Sequence, residues 1–264
     1  MDFPSQAATV ATSTAPPGRM FHIVTIAGNE NGMAHADYFA LVFFIAAWSL
    51  FNWLTGVERT SSYMSVTRAM AIHRARWIRN SMTRDLKMID TQIMAGLQNG
   101  TGFFASTSLL ALGGCFALLG ATDQVEAIFH DLPIMLQGGR QGFELKVGGL
   151  AVIFAYSFFK FGWSYRLFNY CSILFGGLPM HGDTLKDPGQ AARGAERVIK
   201  LNIIAAKHFN AGLRAIFLSI GYLGWFVNAY VFMAMTVFVF FVLVRRQFFS
   251  EAREAILKDI EDQP

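Results

Sequence analysis

The sequence predicts an all-α fold: a polytopic helical membrane protein with four or five transmembrane helices and amphipathic cytoplasmic helices. Three observations carry this reading. Apolar residues make up 53% of the 264-residue chain and charged residues only 15%, well under the roughly 25% of soluble domains. Mean hydropathy is +0.37, and the apolar residues gather in runs near the ~20 residues a helix needs to cross a ~30 Å hydrocarbon core. The Lys and Arg residues, finally, are segregated into alternate connections.

Residues 1–33 stand apart. The stretch from Ser5 to Arg19 is rich in Ala, Ser, Thr and Pro, with no apolar run like a signal-peptide core. It reads as a disordered N-terminal tail, with Met20 and Met33 as further candidate starts. Residues 34–264 then form a single transmembrane domain. Its apolar runs cover residues 38–56, introduced by His35 and Asp37, then 100–120, 147–180 and 215–244; Lys160 and Arg166 interrupt the third. As one helix, the last run would reach about 45 Å. It would also leave Arg245, Arg246, Arg253 and Lys258 outside. A fold-back near Trp225-Phe226-Val227-Asn228 divides it instead, so five spans are favoured over four with one tilted helix.

Residues 57–99 carry Arg59, Arg68, Arg74, Arg76, Arg79, Arg84 and Lys87, and the connection after the third run carries Lys186, Arg193, Arg197, Lys200 and Lys207. Residues 121–146 hold only Arg140 and Lys146 against Asp123, Glu126, Asp131 and Glu144. The positive-inside rule therefore predicts cytoplasmic basic loops, with the N-terminus outside and the C-terminus inside. The net charge of +4 is thus a matter of topology and implies no nucleic-acid partner.

Cytoplasmic segments near 57–99, 188–210 and 246–262 read as helical. In the first, Ile78, Met82, Leu86, Ile89 and Ile93 recur at three- and four-residue spacing between charged residues. Pro188 suits the first position of a helix, and Ala191, Ala195, Val198, Ala205 and Phe209 trace a stripe beyond it. These helices are expected to pack on one another beneath the membrane, or to grip anionic lipid through Arg and Lys.

No H-E-x-x-H, paired-Cys, Walker or G-x-S-x-G pattern occurs, so no enzyme, cofactor or metal is expected. Cys115 and Cys171 read as small buried hydrophobes, and His35 with Asp37 as a helix cap and interfacial anchor. The informative residues are cations in or beside the membrane. Lys160, Trp163, Arg166 and Tyr170 share an arc of about 120° on a helical wheel. Arg214 enters the last run within His208-Phe209-Asn210-Ala211-Gly212-Leu213-Arg214. An unpaired charge at mid-bilayer costs at least ~2.5–3.5 kcal/mol. Three readings answer it: snorkelling aided by Trp163 or Tyr170, an internal anion or lipid-phosphate site, or a partner subunit's carboxylate. The expected anion- or lipid-binding set is Lys160, Trp163, Arg166, His208, Asn210 and Arg214. In the second run Gly102 with Ser106, Ala111 with Cys115, and Gly113 with Ala117 are small pairs four apart, a pattern for close helix packing within or between subunits.

Several of these stretches resemble the bacterial and plant membrane family catalogued as domain of unknown function 599. They are Phe103-Phe104-Ala105-Ser106-Thr107, Lys160 through Trp163 to Arg166, Phe168-Asn169-Tyr170, the His208–Arg214 segment, Gly224-Trp225-Phe226 and Arg245-Arg246-Gln247-Phe248. The resemblance spans about residues 35 to 255. Members often carry Pro shortly after the Trp-Phe pair, where this chain has Asn228-Ala229. The resemblance implies a bacterial inner (plasma) membrane but no activity. From the residues, a homo-oligomeric channel- or transporter-like protein is expected, in which Lys160, Arg166 and Arg214 line an anion-accessible path on the cytoplasmic side. The alternative is a non-conducting accessory or scaffold subunit of a membrane complex that binds anionic phospholipid.

Overall fold

The computed structural model describes residues 35–56, 64–122, 124 and 139–261; the tail expected at 1–33 lies outside them. Regular structure among the described residues is helical throughout. In order come α1 (His35–Gly56), α2 (Val66–Ser81), α3 (Met88–Gly120), α4 (Gly139–Gly176), the single turn α5 (His181–Thr184), α6 (Pro188–Tyr222), a 3₁₀ turn (Leu223–Phe226), α7 (Ala229–Phe248) and α8 (Glu251–Glu261). Five helical segments are long and apolar enough to cross a membrane: α1, α3, α4, α6 with its 3₁₀ turn, and α7 continued toward α8. The chain is a polytopic helical membrane protein.

The overlong last run divides where expected. After the 3₁₀ turn, Asn228 takes an extended conformation and its side chain accepts the Val231 amide at 2.8 Å, capping α7. An Asn N-cap satisfies one of the free amides of a new helix, so the chain restarts a helix here without proline. Gly224 permits the tight return, because a Cβ there would meet the Val231 carbonyl oxygen at 2.9 Å. Trp225 is only 1% exposed, tucked beneath the turn.

Helix α4 lies between α3 and α6, while α7 packs on both α6 and α1. Their shared core includes Phe44 and Phe51 of α1, Val147 and Ile153 of α4, Leu218 and Tyr222 of α6, and Phe232 of α7. Three helices outrun any bilayer. With 38 residues in α4 and 35 in α6, they extend about 57 Å and 52 Å, and α3 begins twelve residues before its apolar run. The excess of all three lies at one end, where it joins α2 in a second core of Ile78, Met82, Met94, Cys171, Phe175 and Val198.

Buried polar groups fasten this layer. Asp90, fully buried, accepts the Trp77 indole N–H at 2.7 Å and pairs with Arg84. Lys87 donates to the Leu178 and Pro179 carbonyls just past the end of α4. Arg74 donates to Asn202 at 2.6 Å, and burial pushes its guanidinium below the usual arginine range. Helix α8 docks through Arg253, which donates to the Met64 carbonyl at 2.7 Å. The α6 stripe falls as expected: Pro188 opens the helix behind an Asp187 cap, and Ala191, Ala195, Val198 and Ala205 are buried. The 78–93 stripe does not hold together. Ile78 and Met82 are buried, but Leu86 and Ile89 are exposed, because the chain turns between Ser81 and Met88 and resets the helical phase.

The basic segments on α2, the start of α6 and α8 thus collect at one end, termed here the basic end. The opposite end holds Trp225 and the starts of α1, α4 and α7. Exposed Tyr and Trp residues include Tyr38 and Tyr230 near the Trp225 end and Trp53 and Trp163 nearer the basic end. From Tyr38 to Trp53 the helix rises about 22 Å, a spacing suited to the two interfacial belts of a bilayer.

Candidate anion site

Close approach of α4 and α6 sets the register of the site. A Cβ on Gly212 would lie 2.7 Å from the Phe161 ring, so only glycine lets that ring seat on α6. One turn further along α4, the Ser164 hydroxyl donates to the Ala205 carbonyl at 2.7 Å. This register brings Tyr156 and Lys160 of α4 beside His208 and Arg214 of α6. The Lys160 ammonium lies 5.2 Å from the Tyr156 ring centroid and within electrostatic range of His208. Tyr156 is likewise within range of Arg214, whose guanidinium lies 5.9 Å from the Phe51 ring centroid of α1. Trp48 of α1 completes the wall, edge-on to Tyr156 at 5.5 Å. On α7, Arg246 stacks over Phe217 at 5.7 Å, one turn along α6 from Arg214.

What these cations lack is an acid. Among the described residues no ion pair involves Lys160, His208 or Arg214, and the buried Nε of Arg214 has no hydrogen-bond partner. Aromatic faces attract a cation by ~0.5–2 kcal/mol but accept no in-plane hydrogen bond from the guanidinium edge, and leaving an N–H out of water and unbonded costs about 1–3 kcal/mol, more for a charged group.

The structure divides the expected cationic face. Arg166 donates from Nε to the Tyr170 hydroxyl at 2.6 Å and lies over that ring, and both residues, with Trp163, face outward. Lys160 alone turns toward α6. Asn210 is half-buried on α6. Of the packing residues, Gly102 faces the Tyr165 ring, whereas Ser106, Gly113 and Ala117 lie on a side of α3 that the described residues leave exposed. Tyr156, the hub of the cluster, is missing from the sequence-derived set; its spacing of four from Lys160 was the available signal.

A second polar cluster sits at the Trp225 end. Asp37 is 3% exposed and accepts the Trp225 indole N–H at 2.7 Å. Lys146 is 2% exposed, with its ammonium 5.8 Å from the Trp225 ring centroid and in electrostatic range of Asp37. The Tyr222 hydroxyl donates to the Lys146 carbonyl at 3.0 Å. It fits because Gly149 has no Cβ, which would lie 2.0 Å from that hydroxyl. The sequence grouped Lys146 with an outer loop, yet α4 begins at Gly139 and carries it into the core. His35 is exposed and takes no part in this cluster. Among the described residues no group of three or more His, Cys, Asp or Glu side chains is placed to hold a metal. Cys115 and Cys171 are buried free thiols.

A family model described as "Protein of unknown function, DUF599" matches residues 39–252, a range that takes in both clusters except for Asp37. No curated protein and no solved structure matches the chain.

Proposed function

The chain belongs to this family, and on that premise we propose a non-enzymatic, channel- or transporter-like role in which an anion enters from the basic end to Lys160, His208 and Arg214. One observation carries the proposal: the Arg214 Nε is buried and unbonded, with Lys160 over the neighbouring Tyr156 ring and no ion pair to either cation among the described residues. A site of one charge sign, walled by aromatic rings, concentrates counter-ions from the adjoining solution.

In this reading the basic end faces the cytoplasm of a bacterial cell, with N-terminus out and C-terminus in. Segregation of the Lys and Arg residues supports that orientation. Labelling of single cysteines at Lys186 from the inside and at Arg140 from the outside tests it; the reverse pattern overturns it. The exposed side of α3, with Ser106, Gly113 and Ala117, is the surface on which copies of the chain would associate. The functional test is flux in proteoliposomes under imposed anion gradients. Arg214→Ala and Lys160→Ala should each slow flux about tenfold or more. Wild-type vesicles impermeable to every anion tried would sink the proposal.

A specific observation favours a second reading. Arg166, Tyr170 and Trp163 form an outward-facing group near the level of Trp53, suited to anionic phospholipid on an accessory or scaffold subunit. Native mass spectrometry discriminates: copies of one subunit favour transport, whereas stoichiometric foreign subunits favour the scaffold.

A further inference from the structure

We infer that the ligand of the Lys160–Arg214 site is a phosphate group, held by the edge of the Arg214 guanidinium and by the Lys160 ammonium together. The inference rests on the anion-site reading above and deepens it by naming the ligand chemistry.

The guanidinium sits over the Phe51 ring, so one flat face is engaged and binding falls to its edge. The unbonded, buried Nε belongs to that edge. A guanidinium edge offers parallel N–H groups, a fork that matches two oxygens of a phosphate or carboxylate and that a spherical halide cannot use in the same way. The second cation separates the two oxyanions. A carboxylate has two oxygens, and the fork takes both. A phosphate has further oxygens pointing elsewhere, and Lys160 stands on the neighbouring helix, joined to Arg214 through Tyr156, which is within electrostatic reach of the guanidinium. His208 lies beside Lys160 as a further donor.

Depth points the same way. Arg214 lies over Phe51, two residues before the exposed Trp53 of α1. That places the guanidinium about 3 Å along α1 from Trp53, a residue type that favours the membrane–water interface. A phosphate carried by a lipid of that leaflet, or a free phosphate from the adjoining solution, reaches it from that interface.

The experiment uses the full chain, purified in mild detergent, with two probes. Inorganic phosphate is titrated by calorimetry against chloride and acetate at matched ionic strength. Retention of phosphatidylglycerol is measured by native mass spectrometry after transfer from phosphatidylglycerol–phosphatidylcholine nanodiscs. Wild type should take up at least one probe in preference to chloride and acetate. Arg214→Ala should weaken it about tenfold or more, and Arg214→Lys should do nearly as much, because lysine keeps the charge but loses the fork. Lys160→Ala should weaken it comparably, while Arg79→Ala, at the basic-end surface, should leave it unchanged. Arg214→Lys also guards against misfolding, since it retains the cation and most of the side-chain volume. Phosphatidylglycerol alone would identify a lipid source, and inorganic phosphate a soluble one. Binding of neither probe, equal binding of acetate, or wild-type affinity in Arg214→Lys overturns the inference. Phosphate binding without flux would leave this inference standing and remove the transport reading; anion flux without phosphate binding would do the reverse.

Discussion

Two polar clusters occupy the same helical bundle and are built on opposite principles. At the Trp225 end, the Asp37 carboxylate meets an indole N–H and lies in range of a lysine, with a tyrosine hydroxyl closing on the lysine's own carbonyl. Opposite charges and matched donors are all supplied by the chain. Nearer the basic end, Lys160, His208 and Arg214 share aromatic walls but no acid among the described residues, and one guanidinium N–H is left unbonded. The contrast teaches where to seek function. A buried pair that completes itself fastens helices, whereas a buried cation left incomplete has a partner outside the chain or a cost without return.

Thermal unfolding in detergent, without added phosphate, tests this contrast. The largest loss is expected from Asp37→Ala, which strips the Trp225 N–H of its acceptor and removes the acid beside Lys146; about 3–5 kcal/mol is typical for breaking a buried charged contact. Gly149→Ala should come next, at about 1–3 kcal/mol, because the Tyr222 ring must swing aside and release the Lys146 carbonyl. Arg214→Ala should cost least, within about 0.5 kcal/mol of wild type, despite removing a larger and more deeply set side chain than most surface residues. A loss from Arg214→Ala as large as that from Asp37→Ala would erase the distinction between the clusters.

How far the sequence reaches can be judged residue by residue. The spans were legible because apolar length is a direct requirement of the bilayer. The turn at 225–228 was legible from an impossible length more than from its residues, although Asn228 carried the capping signal. The burial of Lys146 was hidden. It precedes the apolar run, and the residues that accommodate it, Asp37 and Trp225, are 109 positions before it and 79 after it in the sequence. Likewise the helical wheel put Lys160 and Arg166 at the two edges of one arc of about 120° but did not show which neighbour covers each edge. Helix α6 reaches Lys160, and Arg166 is left facing outward. The hub residue Tyr156 is uncharged and lies within an apolar run, so its spacing of four from Lys160 is a weak signal that packing alone turns into a contact.

The length of α4 and α6 has a mechanical consequence. Each passes from the membrane core into the basic-end layer as one helix with no break along its described length, and Gly212 and Ser164, each about two-thirds along its helix, join the two. Such a pair behaves as a lever about that joint. A rocking of about 5° would carry the Pro188 tip of α6, some 36 Å from Gly212, through about 3 Å. In the proposed reading, an anion beside Arg214 would sit next to that fulcrum, and the layer that Asp90, Lys87 and Arg74 hold together would move as the lever's load.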